Sequence, residues 1–234
     1  MSLDDRCVMV TGATGNLGRA VAQAFSDLGA RLVLTGSRPE SLQRAFGAGD
    51  DRRMLAPVDL LDAGQVRDTV SAAIARFERI DVLCNLAGGF RMGEAVHETS
   101  LENWNFLLDI NARTLLNSAR AVVPHMIAAG AGKIVNVAAF AAQHGAARMG
   151  AYAASKSAVI RLTEAMSAEL REHRINVNCV LPTVIDTPEN RAAMPQADPR
   201  RWVAPEDLAR VIVFLASDAS RAVHGAALPV TGLS

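Results

Sequence analysis

The chain of 234 residues is short of several things. It has two lysines, Lys133 and Lys156, so 22 of its 24 basic residues are arginines. It has one tyrosine, Tyr152. Net charge is zero and no basic stripe or acidic tail appears, so nucleic acid and anionic membrane surfaces are poor partners. No apolar run is long enough to span a bilayer. The N-terminus, MSLDDRC, has no apolar signal core, and the expected location is the cytoplasm. The three cysteines, Cys7, Cys84 and Cys179, are odd in number and far apart, and each lies in an apolar run. That pattern reads as buried reduced thiols; no spacing supports a redox or metal role.

What is present is alternation. Half of the residues are hydrophobic, enough for one α/β domain over 1–234. Continuous apolar runs at 6–11, 31–35, 54–58, 80–85, 132–138, 174–180 and 226–230 read as strands covered on both faces. Helical patterns fall near 15–28, 39–46, 63–77, 101–129, 151–172 and 205–216, two of them opened by Pro39 and Pro205. The expected architecture is a doubly wound, seven-stranded parallel sheet with helices on both faces. One long irregular segment, 183–204, holds Pro188, Pro195 and Pro199 and reads as a functional loop.

Two motifs carry chemistry. The first, Thr11-Gly12-Ala-Thr14-Gly15-Asn16-Leu17-Gly18, runs from the first strand into the first helix. Glycines there admit a pyrophosphate close to backbone, and the helix start supplies N–H donors. The spacing is GxxGxxG rather than GxGxxG. After the second strand an acid would bind both ribose hydroxyls of NAD. The chain has Gly36-Ser37-Arg38 instead. Ser37 and Arg38 suit a 2′-phosphate, because a guanidinium matches phosphate geometry, so NADP(H) is preferred and NAD(H) possible. A solvated surface arginine is the competing reading of Arg38. The second motif is Tyr152-Ala-Ala-Ser-Lys156, which sets the lone tyrosine one helical turn from one of two lysines. An ammonium beside a phenol stabilises the phenolate and makes a usable proton donor and acceptor.

Together with Asn85-Leu-Ala87-Gly88, Asn111 and Pro182-Thr183-Val184-Ile-Asp-Thr187, these motifs occur in an order that resembles the short-chain dehydrogenase/reductase family along essentially the whole chain. The resemblance implies a bound nicotinamide cofactor and a small-molecule substrate. It makes Tyr152 the proton donor, Lys156 the group that lowers its pKa and holds the nicotinamide ribose, and Asn111 the support of a water-linked relay. It assigns Asp59 and Leu60 to the adenine, and Asn85, Ala87 and Gly88 to the cofactor-side loop. Pro182, Thr183 and Val184 follow on the cofactor side, with Thr187 at the carboxamide. It also implies a homo-oligomer, dimer or tetramer, built on the helices near 101–129 and 151–172.

The departures are as informative. The serine expected thirteen residues before Tyr152 is Ala139, and the usual Pro-Gly is Pro182-Thr183. The tract 85–90 and the region 181–202 also resemble dihydropteridine reductases, which lack the same serine and reduce a quinonoid ring. Gly36 departs from that subfamily. Three functions stay open: reduction of an activated small carbonyl, quinonoid or imine-like substrate; a cofactor-binding sensor or scaffold without turnover; and a 3-oxoacyl-carrier reductase, for which Arg148, Arg191, Arg200 and Arg201 would supply a basic patch. Specificity is expected in 89–96, 140–149 and 187–203, with Phe90, Met92, Phe140, Met149, Met194 and Trp202 as wall candidates.

Overall fold

The computed structural model describes residues 3–234. Seven strands form one parallel sheet in the order β3-β2-β1-β4-β5-β6-β7. They are β1 Cys7–Thr11, β2 Arg31–Gly36, β3 Arg53–Pro57, β4 Val82–Asn85, β5 Gly132–Val137, β6 Ile175–Pro182 and β7 Ala227–Val230. The helices are α1 Asn16–Asp27, α2 Pro39–Phe46, α3 Ala63–Phe77, α4 Leu101–Leu108, α5 Thr114–Ala129, α6 Gly150–Leu170, α7 Pro188–Ala193 and α8 Pro205–Ala216.

Strand periodicity splits the apolar residues between two layers. Val8, Val10, Leu32 and Leu34 pack with Phe25 of α1, Leu42 of α2 and Ile212 of α8. Cys7, Met9, Val33 and Leu83 turn the other way, onto Val70 and Phe77 of α3 and Met126 of α5. A third cluster joins Leu115, Val159, Ile160 and Leu181 between α5, α6 and β6. Because β1 lies between β2 and β4, the strand order reverses there and opens a crevice at the carboxyl ends of β1 and β4.

Two expectations need correction. The helix over 101–129 is not continuous. A π-helical turn, Asp109–Arg113, separates α4 from α5 and carries Asn111. Such an inserted residue re-aims side chains and is frequent at functional sites. The segment 183–204 is not irregular throughout. It holds α7, a 3₁₀ turn at Pro199–Arg201 and a bridge between Ile185 and Val203. Three prolines obscured these elements in the sequence, although Pro188 sits at the helix start where proline is tolerated. Among the described residues, no helix is long and apolar enough to cross a membrane.

Candidate active site

The crevice begins at Thr11, the last residue of β1. Its buried hydroxyl accepts from the N–H groups of Leu86 (3.0 Å) and Ala87 (3.2 Å) and donates to the Cys84 carbonyl at 3.4 Å. One side chain thus ties the glycine-rich turn to the loop after β4. Sequence reading assigned Thr11 no role of its own.

The three glycines answer to different needs. Gly12 has φ +63, and a Cβ there would stand 2.9 Å from the Ala87 backbone. A Cβ on Gly18 would stand 2.3 Å from the Gly12 carbonyl oxygen. Both are fixed by close approach of protein to protein. Gly15 is different: its Cβ would meet only the Gly12 oxygen, at 3.5 Å. Protein packing does not demand glycine there, whereas a phosphate approaching the start of α1 does. Gly88 faces the other side of the crevice, where a Cβ would stand 2.9 Å from Asn111 Oδ1 and 3.1 Å from Lys156 Nζ. These residues leave the backbone cradle that a dinucleotide fits.

Around the cradle, Thr14 abuts the end of β2, with a Gly36 Cβ falling 3.2 Å from its Cγ2. Ser37 and Arg38 are exposed just beyond. The Asp59 carboxylate accepts from the Leu61 N–H at 2.9 Å, and the Leu60 carbonyl is held by Asn117 Nδ2 of α5 at 2.9 Å. Asn117 positions the expected adenine-side loop. Asn16 does not leave its side chain free; its amide donates to Glu189 of α7 at 2.8 Å. Thr183 is likewise engaged, donating to the Thr231 carbonyl at 3.0 Å. The Thr187 hydroxyl caps α7 by accepting from the Asn190 N–H at 3.1 Å. Val184 lies beside it, its carbonyl accepting from Val203.

The catalytic candidates converge at the start of α6. Lys156 is buried and donates to the Val137 carbonyl at 2.9 Å. That is its only hydrogen bond among the described residues, so two of its three N–H donors stay open, as ribose hydroxyls require. Asn111 pairs with Gly89 through both amide atoms, at 3.0 Å each, and donates to Ser155 Oγ at 3.0 Å. Ser155 in turn donates to the Tyr152 carbonyl at 2.8 Å. The π-helical turn is therefore wired to the start of α6 through Ser155, which sequence reading did not single out. A second buried chain links Asn85 Nδ2 to Asn136 Oδ1, and Asn136 Nδ2 to Thr163 Oγ1, each at 2.9 Å. Asn85 Oδ1 is left without a partner, an unsatisfied acceptor at the crevice edge. Asn136 was legible only as a polar residue inside an apolar strand.

Burial dominates the electrostatics. It pushes the Tyr152 phenol up to about 12 and the Lys156 amine down to about 8, because each charged form loses hydration. The depression of Tyr152 by Lys156 implied by the family resemblance does not appear among the causes of its shift. The thiols of Cys7, Cys84 and Cys179 are all free, buried and raised by desolvation.

Ala139 is buried and extended at the end of β5. Val137, two residues before it, holds Lys156, and Ala142, three after, accepts from Ser157 Oγ at 2.8 Å. It therefore sits beside α6 with no polar side-chain atom. Gln143 and His144 are exposed. Of the wall candidates, Phe90 reaches Tyr152: the rings meet edge to face at 4.8 Å. Phe90 and Met92 are more than half exposed, whereas Met149 and Trp202 are partly buried. The arginines proposed for an acidic carrier are largely spent. Arg191 and Arg200 form ion pairs with Asp186 and Asp198, and Arg148 and Arg201 bond to carbonyls.

A parallel sheet with a glycine cradle at its switch point, beside a Tyr–Lys pair, defines a dinucleotide-dependent oxidoreductase. The family model described as enoyl-(acyl carrier protein) reductase matches residues 12–232. D-threitol dehydrogenase of Mycolicibacterium smegmatis is 34% identical, with 98% of this chain and 93% of that protein covered. The 3-oxoacyl-[acyl-carrier-protein] reductase of Thermotoga maritima is 31% identical, covering 99% and 98%. The crystal structure of carveol dehydrogenase from Mycobacterium avium, in complex with NAD, superposes with a TM-score of 0.88 at 26% identity, covering 98% and 97%. The chain belongs to the short-chain dehydrogenase/reductase family and is an NAD(P)-dependent oxidoreductase.

Proposed function

We propose that the protein reduces a small, already electrophilic carbonyl, quinonoid or imine-like substrate, with Tyr152 as proton donor and NADP(H) as preferred cofactor. When bound, the nicotinamide supplies or accepts the hydride. The protein does the rest. Tyr152, partly buried, keeps its proton until negative charge develops on the acceptor atom, because burial disfavours its phenolate. Lys156 is fixed by the Val137 carbonyl, and its open donors are suited to a ribose and to the phenolate as it forms. Asn111 and Ser155 orient the start of α6. Phe90 packs edge to face against the Tyr152 ring and limits its orientation.

The observation that carries the substrate class is Ala139. A hydroxyl there would polarise the substrate, and losing one such donor costs about 10²–10³ in rate, or about 3–4 kcal/mol. Ala139 carries no such donor, which supports an acceptor that is reactive before it binds. Arg38, exposed and without an ion-pair partner among the described residues, supports NADP(H). A fluorescence titration is expected to give at least tenfold tighter binding of NADPH than NADH, and Arg38→Ala is expected to remove that difference. Equal affinities in the parent chain would refute the preference.

Ala139 also favours a second reading, a sensor that binds cofactor without turnover. Tight NADPH binding with no oxidation across ketones, quinones and a quinonoid pterin would select it. Self-association belongs to the proposal: Leu101, Trp104, Leu116 and Ile127 stay exposed along α4 and α5. A monomer by sedimentation equilibrium would exclude it.

A further inference from the structure

The end of the sheet opposite the cofactor crevice holds a cavity of about 570 Å³. It opens at the starts of β1, β4, β5 and β6, where Arg6, Asp81, Lys133 and Asn176 line it. The carboxyl ends of the same strands lie about 13 to 26 Å away, at ~3.3 Å per strand residue. None of the lining residues belongs to the site already described.

Five cations reach this cavity from four segments: Arg6, Lys133, Arg171 and Arg174 of one 3₁₀ turn and its cap, and Arg221. Two carboxylates, Asp81 and Asp218, oppose them. Asp81 is buried and already satisfied. It accepts from Arg6 at 3.1 Å, from Arg79 at 2.6 Å and from the Cys7 N–H at 2.9 Å. Asp218 is exposed and reaches Arg6 at only 4.0 Å. The other four cations have no carboxylate within ion-pair distance among the described residues. Arg171 and Arg221 make no side-chain hydrogen bond at all among them.

Two of these cations are held in place. Lys133, one of only two lysines, donates to Asn176 Oδ1 at 2.8 Å. Asn176 is itself buried and fixed by the Arg221 and Val223 carbonyls, with His224 against its amide at 3.1 Å. Arg174 has φ +58, a left-handed conformation that a helix end usually gives to glycine. Its Nε donates to the Gly130 carbonyl at 3.0 Å, and a Cβ on Gly130 would come within 3.1 Å of its Nη2. A helix C-terminus favours nearby cations, which accounts for Arg171 after α6. That effect fades within the last turn and does not gather Lys133, Arg174 and Arg221 around one hollow.

We infer that this basal cavity is a second binding site, for a small polyanion bearing phosphate or carboxylate groups. The volume suits a small molecule. Unpaired guanidinium groups and an oriented ammonium supply the donors that such groups take.

The test is calorimetric titration of the whole chain at low ionic strength with pyrophosphate and, in parallel, citrate, each with and without saturating NADPH. Binding of either anion with one site per chain, undiminished by NADPH, is expected. The tighter of the two identifies the preferred group. The double variant Arg171→Gln/Arg221→Gln is expected to bind at least tenfold more weakly while retaining the parent's NADPH affinity and melting temperature. Single variants serve if the double one melts early. Binding of neither anion, unchanged affinity in the variants, or displacement by NADPH would overturn the inference.

Discussion

At the scale of single residues, Lys156 and Tyr152 dominate the account, and both were legible because the chain is so poor in lysine and tyrosine. What the sequence could not show was burial. Lys156 falls to about 8 in the folded protein from an ordinary value of 10.5, so the folded state resists its charge. Between these values the unfolded chain binds more protons, and stability rises with pH through that window. The full shift corresponds to about 3 kcal/mol. Tyr152 acts oppositely: its rise from 10.0 to about 12 makes stability fall as pH climbs between those values. The buried thiols of Cys7, Cys84 and Cys179, also raised, lower stability as pH climbs past about 9, so the Lys156 contribution is read as a difference between two proteins. Between pH 7 and pH 9.5 the urea midpoint of Lys156→Met is expected to fall relative to that of the parent, and a constant difference between the two would contradict the burial of Lys156. Ala139 is the other decisive residue. Installing the missing hydroxyl, Ala139→Ser, is expected to raise turnover of ordinary ketones by up to about 10²-fold. No gain in steady-state assays would mean that the pocket supplies polarisation elsewhere.

At the scale of elements, strands and the sheet-packed helices followed from continuous apolar runs and proline starts, and the seven strands stand where those runs fall. The exceptions share a cause. The π-helical turn at Asp109–Arg113 adds one residue inside an otherwise regular apolar pattern, and periodicity does not register it. α7 is six residues long and flanked by prolines, below the length at which a pattern emerges. Nor could spacing reveal that Asn16 of α1 bonds Glu189 of α7 across 173 residues. This contact fastens the segment after β6 to the glycine-rich turn. Removing it with Glu189→Ala should cost about 1 kcal/mol locally, typical of a single hydrogen bond. Amide hydrogen exchange in α7 is then expected to speed up about fivefold, with the sheet unchanged. Equal exchange rates would show that α7 is held by other contacts.

At the scale of the molecule, the sheet keeps two chemistries apart. Its carboxyl ends carry the glycine cradle, Tyr152, Lys156 and Ala139, and its amino ends carry a cluster of unpaired cations. Zero net charge concealed the second feature, because composition averages over the surface. The first was legible as an ordered set of motifs, which is why family and fold followed from the chain alone while the acceptor did not. The central claim is that Tyr152 delivers the proton in a reaction that needs no serine. The most direct measurement is NADPH oxidation with a quinone or quinonoid pterin by the parent chain and by Tyr152→Phe. The parent is expected to turn over, and the variant to lose at least 10²-fold in kcat with its NADPH affinity unchanged. Equal turnover by the two proteins would contradict the account.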